Sequence, residues 1–138
     1  AEAKKLIELF LENFYWGDKM KKALIVDDTM YIRSEIRELL EEQGYTTYEA
    51  ADGLEAIELY KTIIPDIVTM DINMPRLNGM KATKIIVDYD SNAKIMMCSS
   101  MIMFANYKEM CREAGAKAFL SKPYTKIEFL EEMTRLFL

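Results

Sequence analysis

Short strand-like runs alternate with longer segments of helical periodicity along most of this chain. The interior runs are continuously apolar, which is typical of strands that are buried on both faces of a sheet. Alternation at this spacing predicts an α/β domain, in which helices cover both faces of a doubly wound, five-stranded parallel sheet. We expect strands over 22–27, 45–49, 66–71, 94–98 and 117–121, and helices over 30–43, 53–63, 79–88, 102–114 and 125–137.

The composition fits one domain and excludes several kinds of site. The chain has 138 residues, of which 51% are hydrophobic and 30% are charged, so a core and a polar surface are both available. Histidine is absent, which excludes a histidine-based zinc site, catalytic triad or phosphohistidine relay within the chain. The net charge of −5 argues against direct binding of nucleic acid, whose phosphates attract basic surfaces.

Nothing in the sequence predicts export or membrane insertion. No apolar run approaches the roughly 18 residues that a membrane-spanning helix needs, and the start carries no secretion-signal pattern. Cys98 and Cys111 are too few for a disulfide framework. We therefore expect a protein of the reduced cytoplasm.

Charged side chains follow three of the apolar runs. Asp27 and Asp28 follow the first run, Asp71 follows the third and Lys122 follows the fifth. The carboxyl ends of parallel strands meet at one edge of a sheet, where open α/β sheets bind their ligands. Carboxylates gathered there repel each other. We therefore expect a hard divalent cation such as Mg²⁺ at this edge, with an anion held beside the lysine.

Residues 1–19 stand apart from the alternation. Their apolar positions recur at the spacing of an amphipathic helix. These positions include Leu6, Ile7, Phe10 and Phe14. Met20 resembles a natural start, so we divide the chain into a helical extension, 1–19, and one domain, 20–138. The extension is interpreted as the tail of an upstream domain, a fused peptide or a native helix, and a helix this short needs an apolar partner to be stable.

Five short motifs stand at or near the predicted strand ends. They are Asp27-Asp28, Met70-Asp71-Ile72-Asn73-Met74-Pro75 with Gly79, Cys98-Ser99, Ala114-Gly115-Ala116 and Lys122-Pro123. In this order they resemble the receiver (response-regulator) domain of two-component signalling, most closely the single-domain regulators of the chemotaxis type. The resemblance covers 20–138 and implies a flavodoxin-like (βα)5 fold with the strand order 2-1-3-4-5.

The resemblance implies a magnesium-dependent phosphoryl acceptor. Asp28, Asp71 and the backbone carbonyl of Asn73 would ligate Mg²⁺ directly, while Asp27 would act mainly through water. Asp71 is the implied nucleophile, which accepts a phosphoryl group as an acyl phosphate. The Lys122 ammonium would neutralise the charge of that group. Such a domain catalyses its own phosphotransfer and slow autodephosphorylation at Asp71 without being a classical enzyme.

The resemblance also implies a switch between the fourth and fifth strands. The Ser99 hydroxyl would turn toward a phosphoryl oxygen, and the Phe119 ring would fill the space that the hydroxyl leaves. The peptide bond before Pro123 is commonly cis in this family. Both switch residues also have ordinary alternatives, which are a strand-end hydrogen bond for Ser99 and core packing for Phe119.

Three departures from the family pattern lie around the fourth helix of the domain. Ser100 stands where the family usually has a smaller residue. The stretch 99–115 is one residue longer than usual, so the start of this helix stays open and Ser100 is a minor alternative to Ser99 as the switch residue. Residues 101–104 are unusually apolar, which suits either an adaptable partner-binding surface or packing under the neighbouring loop.

We predict a phosphorylation-dependent signalling switch, with chemotaxis or motility as its output. A sensor histidine kinase would donate the phosphoryl group, and a protein target would bind the face made by the fourth helix, fifth strand and fifth helix of the domain. We expect no output domain, because the chain ends at that fifth helix. Residues 1–19 offer a surface for self-association.

Three other functions compete with this prediction. A phosphorelay intermediate would use the same site and pass the phosphoryl group to a histidine phosphotransfer protein. An aspartyl-phosphate hydrolase needs a second Asp where Asn73 stands. A non-phosphorylated interaction module would normally have lost one of the acids or the lysine, and all of these are present.

Overall fold

The computed structural model describes residues 2–15 and 21–138. The strands are β1 (Lys21–Val26), β2 (Tyr45–Ala50), β3 (Ile67–Met70), β4 (Ile95–Ser99) and β5 (Ala118–Ser121). The helices are α1 (Glu2–Tyr15), α2 (Met30–Glu42), α3 (Gly53–Ile63), α4 (Gly79–Tyr89), α5 (Ala105–Ala114) and α6 (Lys126–Met133). Single 3-10 turns, Ser100–Met103 and Thr134–Phe137, precede α5 and follow α6. The predicted alternation of strands and helices is confirmed.

The strands form one parallel sheet in the order β2-β1-β3-β4-β5. β3 and β4 are buried along their whole length, as their continuously apolar sequences require. One core cluster, which includes Met70 and Ile86, covers one face of the sheet, and a second, which includes Ile25 and Phe129, covers the other. The chain changes its winding direction between β1 and β3, and ligands of open α/β sheets bind at such a point.

The helix predicted over 102–114 begins later than expected. α5 starts at Ala105, and the 3-10 turn occupies the residues before it. The Ser99 hydroxyl accepts a hydrogen bond from the Met101 N–H at 3.2 Å. Such local contacts compete with α-helical hydrogen bonds, so the first residues form a tighter turn. Similarly, the helix predicted over 125–137 is α-helical only to Met133.

The apolar stretch 101–104 is divided between core and surface. Ile102 is buried, whereas Met103 is 70% exposed and Phe104 is 49% exposed. Ser100 is also exposed. The stretch therefore packs under its loop at one position and presents apolar area to solvent at the next two.

The predicted N-terminal helix is present as α1. It contacts α6 and the 3-10 turn that follows α6. Leu6 packs against the core cluster that includes Phe129, while Ile7 is exposed. The predicted boundary between residues 19 and 20 lies outside the described residues, as do the side chains of Phe10 and Phe14.

Both cysteines are buried and free, in agreement with the absence of a disulfide framework. Among the described helices, none has the length and apolar character needed to cross a bilayer.

Candidate functional site

The carboxyl ends of β1 and β3 bring three acidic side chains together. Asp27 and Asp28 follow β1, and Asp71 follows β3, which is the neighbour of β1 in the sheet. One carboxylate oxygen of each residue lies within 4.8 Å of the others. Asp27 and Asp71 are buried, whereas Asp28 is exposed, so the cluster opens to solvent on one side. The acids that the sequence singled out therefore form one group.

Close backbone contacts hold Asp71 at this edge. Its N–H donates to the Val26 carbonyl at 2.9 Å, and its Oδ1 accepts from the Ile72 N–H at 2.8 Å. Gly79, the first residue of α4, approaches so closely that a Cβ there would lie 1.8 Å from the Asp71 carbonyl oxygen. Only glycine allows this approach, so the loop between β3 and α4 is fixed against the backbone of Asp71.

Lys122 supplies the positive charge of the site from the end of β5. Its Nζ donates to Asp27 Oδ2 at 2.7 Å and lies 3.7 Å from Asp71 Oδ2. Burial alone would lower the pKa of the ammonium, but the hydrogen bond to Asp27 and the charges of both acids outweigh burial and raise that pKa. Lys122 is therefore a firmly charged group that faces two of the three acids. The peptide bond between Lys122 and Pro123 is cis.

The Asp71 carboxyl ionises less readily than an ordinary aspartate. Burial is the largest cause and raises its pKa, the Lys122 charge lowers it, and the Asp27 charge raises it again. Hydrogen bonds from the Ile72 N–H and the Ser99 hydroxyl lower it further, but the net direction remains upward. An additional positive charge at the cluster would therefore favour the carboxylate form of Asp71.

The donor set fits a hard divalent cation. Three ionised carboxylates and one ammonium leave an excess of two negative charges in a small region. Carboxylate oxygens beside an open, solvated position suit Mg²⁺, which usually keeps several of its waters. Asn73, the predicted carbonyl ligand, is exposed in the loop that follows β3.

Ser99 and Phe119 lie on the neighbouring strands β4 and β5. Ser99 is buried, and its hydroxyl stabilises the Asp71 carboxylate. Phe119 is half-buried, and its ring centroid lies 5.7 Å from Lys108 Nζ and 5.1 Å from Arg112 Cζ, both on α5. The cations lie at distances at which they interact favourably with the face of an aromatic ring. The residues predicted to form the switch therefore extend from the acid cluster to the surface of α5.

Sequence reasoning missed two arginine contacts around the site. Arg33 Nη1 donates to the backbone carbonyl of Asp27 at 2.7 Å. Arg76 Nε and Nη2 both contact Asp52 Oδ2, at 2.9 and 2.8 Å, and tie the loop after β3 to the start of α3. Asp52 caps the start of α3, where its Oδ1 accepts from the Glu55 N–H at 2.9 Å. This cap has a sequence signal, because Asp followed three residues later by Glu is typical of a helix start. The Arg33 contact has none, because a side chain that binds a backbone carbonyl leaves no pattern in the sequence.

Comparison with known proteins identifies a family. The response regulator receiver domain family matches residues 23–134. Chemotaxis protein CheY of Thermotoga maritima is 43% identical over 117 residues, which are 84% of this chain and 97% of that protein. Protein CcdB of Bacillus subtilis is 45% identical over 118 residues, which are 85% of this chain and 98% of that protein.

A solved structure agrees with these relatives. The crystal structure of the CheX-CheY-BeF3-Mg²⁺ complex from Borrelia burgdorferi contains a chain with a TM-score of 0.83 and 30% identity, and the match covers 89% of this chain and 94% of that one.

Proposed function

The chain belongs to the response regulator receiver family, and we propose that it is a phosphorylation-dependent switch whose phosphoryl acceptor is Asp71. Membership itself makes it a two-component signalling domain with chemotaxis-type relatives. The observation that carries the finer proposal is the position of the Asp71 carboxylate, which lies within 4.8 Å of the exposed acid Asp28 and 3.7 Å from the Lys122 ammonium. A phosphoryl group on Asp71 would thus meet positive charge.

We propose Mg²⁺ as the cofactor, held by Asp28, Asp71 and the Asn73 carbonyl, with Asp27 acting through water. The excess negative charge of the cluster supports this assignment, and so does the presence of Mg²⁺ with BeF3 in the Borrelia burgdorferi complex. When bound, the cation supplies charge neutralisation for the phosphoryl oxygens. The chain's own residues supply position and countercharge.

Phosphoryl transfer to Asp71 forms one bond and breaks another. A carboxylate oxygen of Asp71 forms a bond to phosphorus while the phosphorus–nitrogen bond to the histidine of a sensor kinase breaks, and the imidazole leaves. The reaction demands orientation and charge stabilisation more than covalent help from the protein. The backbone contacts of Asp71 with Val26 and Gly79 fix the nucleophile, and Lys122 faces the oxygens that gain charge. Slow attack by water on phosphorus removes the modification: the bond between phosphorus and the Asp71 oxygen breaks, inorganic phosphate leaves and the carboxylate is restored.

The response to phosphorylation is proposed to pass through Ser99 and Phe119. The Ser99 hydroxyl already stabilises the Asp71 carboxylate. Phosphorylation would turn that carboxylate into an uncharged acyl group and place the negative charge on the phosphoryl oxygens, so the hydroxyl would turn toward one of them, because hydrogen bonds to charged acceptors are the stronger ones. The Phe119 ring beside α5 would then move toward the space that Ser99 vacates. The target would therefore bind the face of α5, β5 and α6. The chemotaxis relatives support motility control as the output.

Phosphorylation by a small donor tests the proposal. Wild-type protein is incubated with acetyl phosphate, with and without Mg²⁺, beside Asp71→Asn and the matched control Asp88→Asn, which alters an exposed aspartate paired with Lys84. Intact-mass spectrometry should find one added phosphoryl group on wild type and the control, only with Mg²⁺, and none on Asp71→Asn. Stoichiometric modification of Asp71→Asn would refute the assignment.

The competing functions predict different results when the same assay is extended. If a histidine phosphotransfer protein is added after phosphorylation with labelled acetyl phosphate, a phosphorelay intermediate would pass its labelled phosphoryl group to that protein. A non-phosphorylated interaction module would remain unmodified under all conditions.

A further inference from the structure

Every hydrogen-bonding group of Asp27 has a partner. Its N–H donates to the Ala50 carbonyl at 3.1 Å, and its Oδ1 accepts from the Thr29 N–H at 2.8 Å. Its Oδ2 accepts from Lys122 Nζ at 2.7 Å, and its backbone carbonyl accepts from Arg33 Nη1 at 2.7 Å. Ala50 lies on β2, Thr29 lies in the turn after β1, and Lys122 belongs to the site already described. The fourth comes from the helix that follows, and it fixes the peptide group that joins Asp27 to the next residue, Asp28.

The guanidinium of Arg33 is itself held in place. Its Nε donates to Glu49 Oε1 on β2 at 2.9 Å, and the side chain is only 14% exposed. The backbone N–H of Arg33 donates to the Thr29 carbonyl at 3.1 Å, within the first turn of α2. One planar side chain therefore joins the end of β1, the start of α2 and the neighbouring strand β2. Arginine suits this task because its donors form a rigid fork, which lysine lacks.

We propose that Arg33 is a positioning residue for the acid pair, acting through the Asp27 carbonyl and oriented by Glu49. The inference rests on the proposed function, because what it positions are the Mg²⁺ ligand Asp28 and the neighbouring acid Asp27. Asp28 is exposed, and the turn that carries it is short. Its orientation depends on the peptide group that Arg33 holds. Metal ligands in proteins are typically oriented by such outer contacts.

Charge and position make opposite predictions for the loss of Arg33. Removing a cation near a cluster of acids raises the local affinity for another cation, so an electrostatic role alone predicts tighter Mg²⁺ binding. Loss of a positioning contact predicts weaker binding. The sign of the change therefore separates the two roles.

Arg37 provides a matched control within the same network. It lies one turn further along α2, and its Nη1 contacts the other carboxylate oxygen of Glu49 at 3.0 Å. Its side chain contacts Ser34, Glu41 and Glu49, so it shares the charge and the carboxylate partner of Arg33 but not the contact with the turn.

The experiment measures Mg²⁺ dissociation constants by calorimetry for wild type, Arg33→Met, Arg33→Lys and Arg37→Met, with melting temperatures in EDTA as a check on folding. Arg33→Met and Arg33→Lys should each bind Mg²⁺ about tenfold more weakly, as is typical for lost outer contacts. Arg37→Met should bind as tightly as wild type or more tightly. Arg33→Lys keeps the charge and supplies the comparison if Arg33→Met does not fold.

The rate of phosphorylation by acetyl phosphate at saturating Mg²⁺ is the second measurement. If Arg33 acts by positioning the metal ligands, saturating Mg²⁺ should return the phosphorylation rate of the Arg33 variants toward that of wild type. Mg²⁺ binding by both Arg33 variants as tight as in Arg37→Met would overturn the inference while leaving the proposed function intact. Failure of wild type to bind Mg²⁺ or to accept a phosphoryl group would overturn both, so the two failures are distinguishable.

Discussion

Replacing Asp71 with Asn should stabilise the unmodified fold, although it destroys the proposed acceptor. At an effective dielectric constant of about 20, two unit charges at the 4.8 Å limit of the acid cluster repel by about 3.5 kcal/mol, which is therefore a lower limit, and a pair at 3.7 Å attracts by about 4.5 kcal/mol. The repulsion from Asp27 and the attraction to Lys122 are therefore of similar size. Asp28 is exposed, so water screens its repulsion to about 1 kcal/mol or less.

Because the pairwise interactions nearly cancel, the burial of an ionised carboxylate decides the sign. Burial is likewise the largest cause of the raised pKa of Asp71. Asn is close to Asp in shape and keeps an oxygen that can accept the Ile72 N–H. We expect Asp71→Asn to raise the free energy of unfolding by about 1–2 kcal/mol at pH 7, which corresponds to a melting temperature about 3–6 °C higher.

The dependence on pH follows from the direction of the pKa shift. A carboxyl whose pKa is raised by folding binds its proton more tightly in the folded state, so the free energy of unfolding falls as pH rises above the unfolded pKa, near 4. Asp71→Asn lacks this loss. Its advantage over wild type should be close to zero below about pH 4 and should reach its full size once the folded Asp71 carboxyl is ionised.

Urea denaturation in EDTA between pH 4 and 8 measures this difference. Asp88→Asn is the control, because it alters an exposed i,i+4 pair and should lower stability by about 0.5 kcal/mol or less. Addition of Mg²⁺ should stabilise wild type more than Asp71→Asn. A variant that is less stable than wild type at pH 7, or an advantage that does not change with pH, would refute the burial argument.

Three further predictions concern the same domain. Asp28→Ala should abolish the rise in melting temperature caused by Mg²⁺, and Asp27→Ala should reduce it only partly; an unchanged rise would remove Asp28 from the metal site. Lys122→Ala should lower the free energy of unfolding in EDTA by about 1–3 kcal/mol, as measured by urea denaturation, because two acids lose their countercharge. Added Mg²⁺ should restore much of this lost stability. Deletion of residues 1–19 should leave a folded, phosphorylatable domain with altered oligomeric state or partner affinity, as measured by light scattering and binding titration; unfolding, or no change in either property, would contradict this.

The parallel sheet and the meeting of the acids could be predicted because they depend on patterns that the sequence carries directly, whereas the strand order 2-1-3-4-5 was implied by the family resemblance. A continuously apolar run such as β3 is stable only when it is buried on both faces. The residue after it, Asp71, must then lie at the edge where Asp27 and Asp28 also emerge. These expectations needed only the order of the elements and the direction of the strands.

Other features depend on contacts that have no periodic signal. The first turn before α5 became a 3-10 turn because the Ser99 hydroxyl bonds the Met101 N–H, and helical periodicity does not distinguish such a turn from the start of an α-helix. The hydrogen bond from Lys122 to Asp27 could not be predicted either, because Asp71 and Asp27 are both within reach of a flexible lysine side chain. Such contacts are decided by side-chain geometry after the backbone is fixed.

The distribution of packing explains why a change at Asp71 is expected to appear at one side of the sheet. β3 is wholly buried between helices, and the backbone of Asp71 is held by Val26 and Gly79. A close-packed interior resists displacement, so the residues around Asp71 cannot move to make room for the added bulk and charge. β5 is an edge strand with alternating burial; it carries the half-buried Phe119, and Lys122 directly follows it. Movement at that edge disturbs fewer buried contacts, and α5 and α6 are the helices that border it. We therefore expect the same packing that fixes the proposed acceptor to direct the proposed response toward the face of α5, β5 and α6.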